Sequence, residues 1–218
     1  MSQAPGLPVQ LIATDLDGTL LNDESKVSPR TVAALQAASA AGVHVAAATG
    51  RSHRTASGLL TPIGVIDWAI CSNGATLFDL ANEKVVAHTF LGLDAAQAVM
   101  GAKAALPGLG LAWETPDGLF RDRAMHIQMT RRYGPNVWAL EADPPIKEVA
   151  DRLIKVMVGH PDHTHDGLID MLTAELDHDL EVSSSGADFI EITAGSAEKG
   201  QAVARLCAQL GVDQAGTV

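Results

Sequence analysis

Aromatic residues are scarce in this chain: four Phe, three Trp and one Tyr in 218 residues. Little material is left for a stacking platform that would hold bases or sugars. Basic charge is short as well, with 15 Lys and Arg against 26 Asp and Glu and a net charge of −11. A protein of that sign does not hold nucleic acid by bulk phosphate neutralisation, so any anion it binds must be met by local positive charge. Only two cysteines occur, Cys71 and Cys207, far apart and in apolar surroundings. They read as reduced, buried thiols rather than a disulfide framework. No stretch approaches the ~18 uninterrupted apolar residues of a membrane span. The opening Met1-Ser2-Gln3-Ala4-Pro5-Gly6 lacks the basic start and apolar run of a signal peptide. The expectation is a cytoplasmic protein with neither a membrane nor a nucleic-acid partner.

What is present is core-forming. An apolar fraction of 47% with 19% charged residues excludes a disordered chain, and the length admits one large domain or two small ones. Val9 to Thr14 is a short branched run bounded by Pro8 and an Asp-Gly pair, which predicts a buried strand followed by a turn. Ser28-Pro29 opens a helix with a capping hydroxyl followed by proline, and Val32, Leu35 and Ala38 keep its apolar stripe until Gly42. Val43 to Ala48 reads as a second strand ending at Thr49-Gly50-Arg51. A short helix follows, and Trp68 to Cys71 reads as a third strand ending at Ser72-Asn73-Gly74. This alternation predicts an α/β fold, a Rossmann-like doubly wound parallel sheet, because parallel neighbours need helical crossovers. Ligands of such sheets bind beyond the carboxyl ends of the strands, so the residues ending these three strands are the site candidates.

Beyond about residue 85 the texture changes. Ala95 to Ala105 reads as a helix, and Leu109 to Glu114 and Gly118 to Asp122 as strands around Pro116-Asp117-Gly118. Residues 130 to 150 look irregular. Leu153 to Val158 reads as a strand, Thr164 to Leu176 as a helix, and Leu180 to Ser184 and Phe189 to Thr193 as strands around Ser185-Gly186. A last helix runs from about Ala197 to Leu210 and stops at Gly211. The expected organisation is a core of residues 1–84 and 188–218 with an inserted α+β domain at 85–187.

Asp15-Leu16-Asp17-Gly18-Thr19-Leu20 is the most informative segment. Strand alternation puts Asp15 and Asp17 on one side and Leu16 on the other, so two carboxylates converge. An Asx turn with a helix cap is the plainer explanation of the same residues. Lys199 falls at the start of its helix, where the macrodipole disfavours a cation by ~0.3–1 kcal/mol. A nearby anion would account for that placement; an exposed lysine paired with Glu198 or solvent is the other reading.

Taken together these segments resemble the haloacid dehalogenase-like phosphatases, in particular the Cof-like branch with a large α/β cap. Asp15-Leu16-Asp17-Gly18-Thr19 is similar to the family's first motif, Thr49-Gly50-Arg51 to its second and Lys199 to its third. Ser72-Asn73-Gly74-Ala75 is similar to a segment recurrent in the branch. The resemblance implies that Asp15 is a nucleophile forming an aspartyl-phosphate and that Asp17 is the general acid and base. It implies that Thr49 and Lys199 hold the phosphoryl oxygens, with Gly18, Gly50, Arg51 and Asn73 on the substrate side. A carboxylate and one charge of a phosphate 4 Å apart repel by about 4 kcal/mol at an effective dielectric of 20, so Mg²⁺ is the implied cofactor, held by Asp15 and Asp17. The implied reaction is Mg²⁺-dependent hydrolysis of a small phosphorylated metabolite, a sugar or cofactor phosphate. Phosphomutase-type transfer and a catalytically silent assembly protein are the alternatives.

The family's acidic fourth motif has no counterpart. Gly211-Val212-Asp213-Gln214-Ala215-Gly216-Thr217-Val218 reaches about the point where the strand leading to it begins. The expectation is a chain truncated relative to the complete enzyme, with weak Mg²⁺ affinity and an apolar sheet edge beside Asp15 open to self-association. His160, His163 and His165 with Asp162 and Asp166 have the residue types of a metal site, yet read as solvated turn residues. Asp177-His178-Asp179 reads as the polar end of a helix, and Arg121, Asp122 and Arg123 as a solvated face. No Gly-x-x-x-x-Gly-Lys loop or Gly-x-Ser-x-Gly elbow occurs, which counts against NTPase and serine-hydrolase chemistry.

Overall fold

A computed structural model of the chain describes residues 9–134, 145–176, 179–184 and 189–218. The Asp177-His178 and Ser185-Gly186 pairs fall outside the described residues, as do both sides of the expected boundary at 187/188. In chain order the elements are β1 (Leu11–Asp15), α1 (Pro29–Ala40), β2 (His44–Ala48), α2 (His53–Leu60), β3 (Trp68–Cys71), β4 (Thr76–Asp79), β5 (Lys84–His88), α3 (Leu93–Ala105), β6 (Gly110–Thr115), β7 (Gly118–Arg121), α4 (Arg123–Tyr133), β8 (Lys155–Gly159), α5 (His165–Glu175), β9 (Leu180–Ser184), β10 (Ile190–Ala194) and α6 (Lys199–Leu210). They divide into two compact units, Met1–His88 with Glu198–Val218, and Thr89–Ala197.

The first unit is built on a sheet in the order β1-β2-β3-β4-β5. β1, β2 and β3 are parallel, with Asp15 opposite Ala48 and Ala48 opposite Ile70. Alternation along these strands feeds two cores. Val45, Ala47, Ala69 and Cys71 pack with Leu35 of α1 and with Ala56 and Leu60 of α2. Ala46, Ala48 and Ile70 point the other way, onto Ala202, Leu206 and Cys207 of α6. Apolar residues on both faces of each strand are what a sheet covered on both sides requires. The two cysteines form no disulfide and are buried, in different cores. Ser28 caps α1 as expected, its side chain accepting from Thr31 N–H at 3.1 Å.

Three sequence expectations need correction here. The sheet continues past β3 through an antiparallel hairpin, β4 and β5, that the sequence reading leaves unassigned. The strand at Lys84–His88 therefore belongs with the first unit, and the division falls at 88/89 rather than 84/85. β10 likewise pairs antiparallel with β8 and β9, so it belongs to the second unit's sheet and not to the core segment 188–218. The edge of β1 is also less bare than expected. Gln10 N–H donates to Gly216 O at 2.8 Å, Val218 N–H to Leu11 O at 3.0 Å and Ala13 N–H to Val218 O at 2.8 Å. The final residues thus lie parallel to the start of β1.

The second unit carries an antiparallel sheet in the order β7-β6-β8-β10-β9. One face, with Leu111, Trp113, Val156, Val158, Ile190 and Ile192, packs with residues of α3 and α5. On the other face Ala112, Met157 and Phe189 meet Met125 and Met129 of α4. α4 corrects the expectation of irregular chain from residue 130. Asp122 caps it, accepting from Met125 N–H at 2.8 Å, and ties it to the sheet by accepting from Leu111 N–H at 3.1 Å. Arg121, expected on a solvated face, is buried with Nη1 3.9 Å from Met129 Sδ. Burial holds its guanidinium below the ordinary arginine range.

Candidate active site

The carboxyl ends of β1, β2 and β3 bring the first two motifs together with the start of α6. Asp15 is the last residue of β1. Its carbonyl accepts from Leu20 N–H at 3.2 Å, and Leu16 O accepts from Leu21 N–H at 2.8 Å, so the chain turns sharply just after the strand. Gly18 stands in that turn at φ 75°, left-handed backbone in which a Cβ would be strained. Leu16 is fully buried in the core with α1 and α2, while Asp17 is exposed. Alternation between packing and presentation at this strand end is as expected.

Lys199 opens α6, and its Nζ donates to Asp15 Oδ1 at 2.6 Å. The partner foreseen for a lysine at a helix start is therefore an aspartate distant in sequence, not its neighbour Glu198. Arg51 grips Asp17 with two bonds, Nε to Oδ2 at 2.9 Å and Nη2 to Oδ1 at 2.6 Å. That fork, helped by the charges of Arg51 and Lys199 and opposed by partial burial, holds the Asp17 carboxyl below its ordinary range. The same bond raises Arg51. Thr49 is buried beyond the end of β2, with N–H donating to Ile70 O at 2.8 Å and Oγ1 accepting from Arg51 N–H at 3.1 Å. Gly50 lies between them in a bend. Asn73, after β3, donates N–H to Thr49 O at 3.1 Å. Asp15, Asp17, Thr49, Arg51 and Lys199 are thus joined in two short hydrogen-bonded groups at one end of the sheet.

Mg²⁺ prefers oxygen donors, keeps several waters and is commonly bound by one or two carboxylates together with substrate phosphate. Asp15 and Asp17 fit that modest requirement. Among the described residues no three His, Cys, Asp or Glu side chains form a metal-binding group. His160 is committed elsewhere: Nδ1 accepts from Asp162 N–H at 3.1 Å, leaving Nε2, 2.9 Å from Pro107 O, as the donor. Asp213 caps the turn at Gln214–Gly216. Ser72, one of the strand-end candidates, is fully buried in left-handed conformation. One contributor has no signal in the sequence: Arg205 donates Nη2–H to Gly74 O at 3.0 Å.

Residues 12–218 match the haloacid dehalogenase-like hydrolase family. Bacillus subtilis YxeH, which carries a phosphatase name, is 30% identical over 217 residues, covering 94% of this chain and 78% of its own. The phosphatase YwpJ of the same organism is 42% identical over 71 residues, 33% of this chain and 25% of that protein. Among solved structures, BT1666 from Bacteroides thetaiotaomicron, from a study of the superfamily's phosphatases, superposes with a TM-score of 0.78 at 19% identity. That match covers 96% of this chain and 76% of BT1666. The chain therefore belongs to the haloacid dehalogenase-like hydrolase family.

Proposed function

We propose that the chain hydrolyses a small phosphomonoester, a sugar or cofactor phosphate, by way of an aspartyl-phosphate on Asp15. The observation that carries this reading is the contact of Lys199 Nζ with Asp15 Oδ1 at 2.6 Å, a cation held beside a carboxylate at the mouth of a parallel sheet. The Asp15 carboxylate attacks phosphorus, a P–O bond to Asp15 forms, and the bond to the leaving alcohol oxygen breaks. Asp17 gives that oxygen its proton, then accepts one from the water that attacks the phosphoenzyme, and inorganic phosphate leaves. Lys199 and the Thr49 hydroxyl hold the phosphoryl oxygens, and Arg51 and Asn73 face the substrate. Mg²⁺ held by Asp15 and Asp17 supplies the charge that lets a carboxylate approach a phosphate dianion.

Phosphate release from p-nitrophenyl phosphate with Mg²⁺ tests the reading. Asp15→Asn should abolish release, by at least about 10³-fold, since the nucleophile is gone. Turnover that survives Asp15→Asn would defeat it, as would a phosphoenzyme trapped on another residue.

A further inference from the structure

Three successive residues, Ser72, Asn73 and Gly74, have left-handed backbone, with φ of 51°, 61° and 106°. A Cβ makes that conformation costly, and two such residues side by side persist only where surrounding bonds over-determine them. The bonds can be named. Ser72 N–H donates to Arg51 O at 2.9 Å, Asn73 N–H to Thr49 O at 3.1 Å and Ala75 N–H to Ser72 O at 3.1 Å. From α6, Arg205 donates Nη2–H to Gly74 O at 3.0 Å. One flank of the turn is bonded to the Thr49–Arg51 loop, and the other to the helix that begins at Lys199. A charged donor on a carbonyl is among the stronger protein hydrogen bonds, and arginine keeps its charge under all ordinary conditions.

We propose that Arg205 is a positioning residue for the active site: it holds Gly74 O, and with it the left-handed turn that sets the Thr49 and Arg51 carbonyls. Through this chain of bonds α6 and the loop after β2 become one frame. Lys199 at the head of the helix and the Thr49 hydroxyl in the loop then keep a fixed separation. The consequence for turnover rests on the phosphomonoesterase reading; the mechanical role does not.

Arg205→Met keeps the apolar stem and removes the donors, while Arg205→Lys retains a cation within reach. Amide hydrogen exchange, read by NMR on the whole chain, follows Ser72 and Asn73 directly. Both amides should exchange at least about tenfold faster in Arg205→Met and near the parent rate in Arg205→Lys, with Val45, Ala69 and Ile70 unchanged. Unaltered exchange at Ser72 and Asn73 overturns the proposal. So does an equal loss of protection at Val45, Ala69 and Ile70, which makes Arg205 a support of the whole fold. In parallel, kcat/KM for p-nitrophenyl phosphate should fall about tenfold in Arg205→Met and recover in Arg205→Lys. A parent chain without turnover would defeat the phosphatase reading and leave the exchange rates to decide on Arg205.

Discussion

Arg51 binds both carboxylate oxygens of Asp17, at 2.9 and 2.6 Å, so the residue proposed as general acid is held ionised by the residue proposed to meet the substrate. For Asp17 to take a proton the fork must open. A phosphate dianion is the natural competitor for a guanidinium, because it offers the same bidentate geometry with more charge.

Replacing Arg51 should release Asp17. Arg51→Lys cannot reproduce the fork, and Arg51→Ala removes the charge altogether. In both, the Asp17 carboxyl should titrate higher than in the parent, with the larger rise in Arg51→Ala. Carbon-detected NMR titration of the Asp17 carboxyl measures it. An unmoved midpoint in Arg51→Ala would show that the ion pair does not control this group.

Lys199 and Asp15 are each about two-fifths exposed, at 41% and 38%, so solvent screens their pairing. Lys199→Met should therefore change unfolding free energy by no more than about 1 kcal/mol. Affinity for orthovanadate, a phosphoryl mimic, should nonetheless fall by at least about tenfold, because a charge-assisted contact to the anion is lost. Urea unfolding and calorimetric titration separate the two effects; a large stability loss with unchanged vanadate binding would reverse the assignment.

His53, the first residue of α2, is buried with its ring 5.3 Å from Phe78 and 6.3 Å from His88, centroid to centroid. Burial, with smaller contributions from Arg54 and His88, lowers its pKa to about 4. The unfolded chain binds this proton near pH 6.5 and the folded chain near 4, so stability is full above about 6.5 and falls as pH drops through the window to about 4. Between pH 7 and 5 the loss from this residue should be about 2 kcal/mol. Urea unfolding of the parent and of His53→Gln at the two pH values checks it. The variant should show the shallower dependence, and parallel curves would contradict the expectation.

On the second unit's sheet Lys155 Nζ donates to Glu191 Oε1 at 2.7 Å, with the side chains only 5% and 9% exposed. Glu114 lies opposite Lys155 on the neighbouring strand. Lys155→Met strips Glu191 of that cation in a dry setting and should cost about 3–5 kcal/mol. The double variant Lys155→Met with Glu191→Leu should regain most of it. Chemical denaturation of both, at one pH, decides between a pair that stabilises and one whose breakage alone is harmful.

Much of the fold was legible in the chain because its signals are local. Trp68–Cys71 and Leu180–Ser184 are the strands their branched and apolar runs foretold, and Ser28-Pro29 and Gly211 mark helix ends by chemistry confined to a few residues. The hairpin β4–β5 was missed because its inward alternation is broken by the bulge between Leu77 and Phe78 and its second strand is largely exposed. The run Phe189–Thr193 reads as a strand next to Leu180–Ser184, but that β10 also meets β8, and so joins the second unit's sheet, is decided by tertiary pairing.

The same division holds at the active site. The order of residue types along the chain determined that Asp15 ends a strand, that Thr49 directly follows one and that Lys199 begins a helix, and hence that they are presented at the sheet's carboxyl edge. Only the tertiary structure decided that Lys199 bonds Asp15, that Arg51 claims both oxygens of Asp17, and that Arg205 secures the left-handed turn at Gly74. The reason is physical: periodicity and capping act over a few residues, whereas a hydrogen bond between residues 15 and 199 exists only after the sheet and α6 have packed.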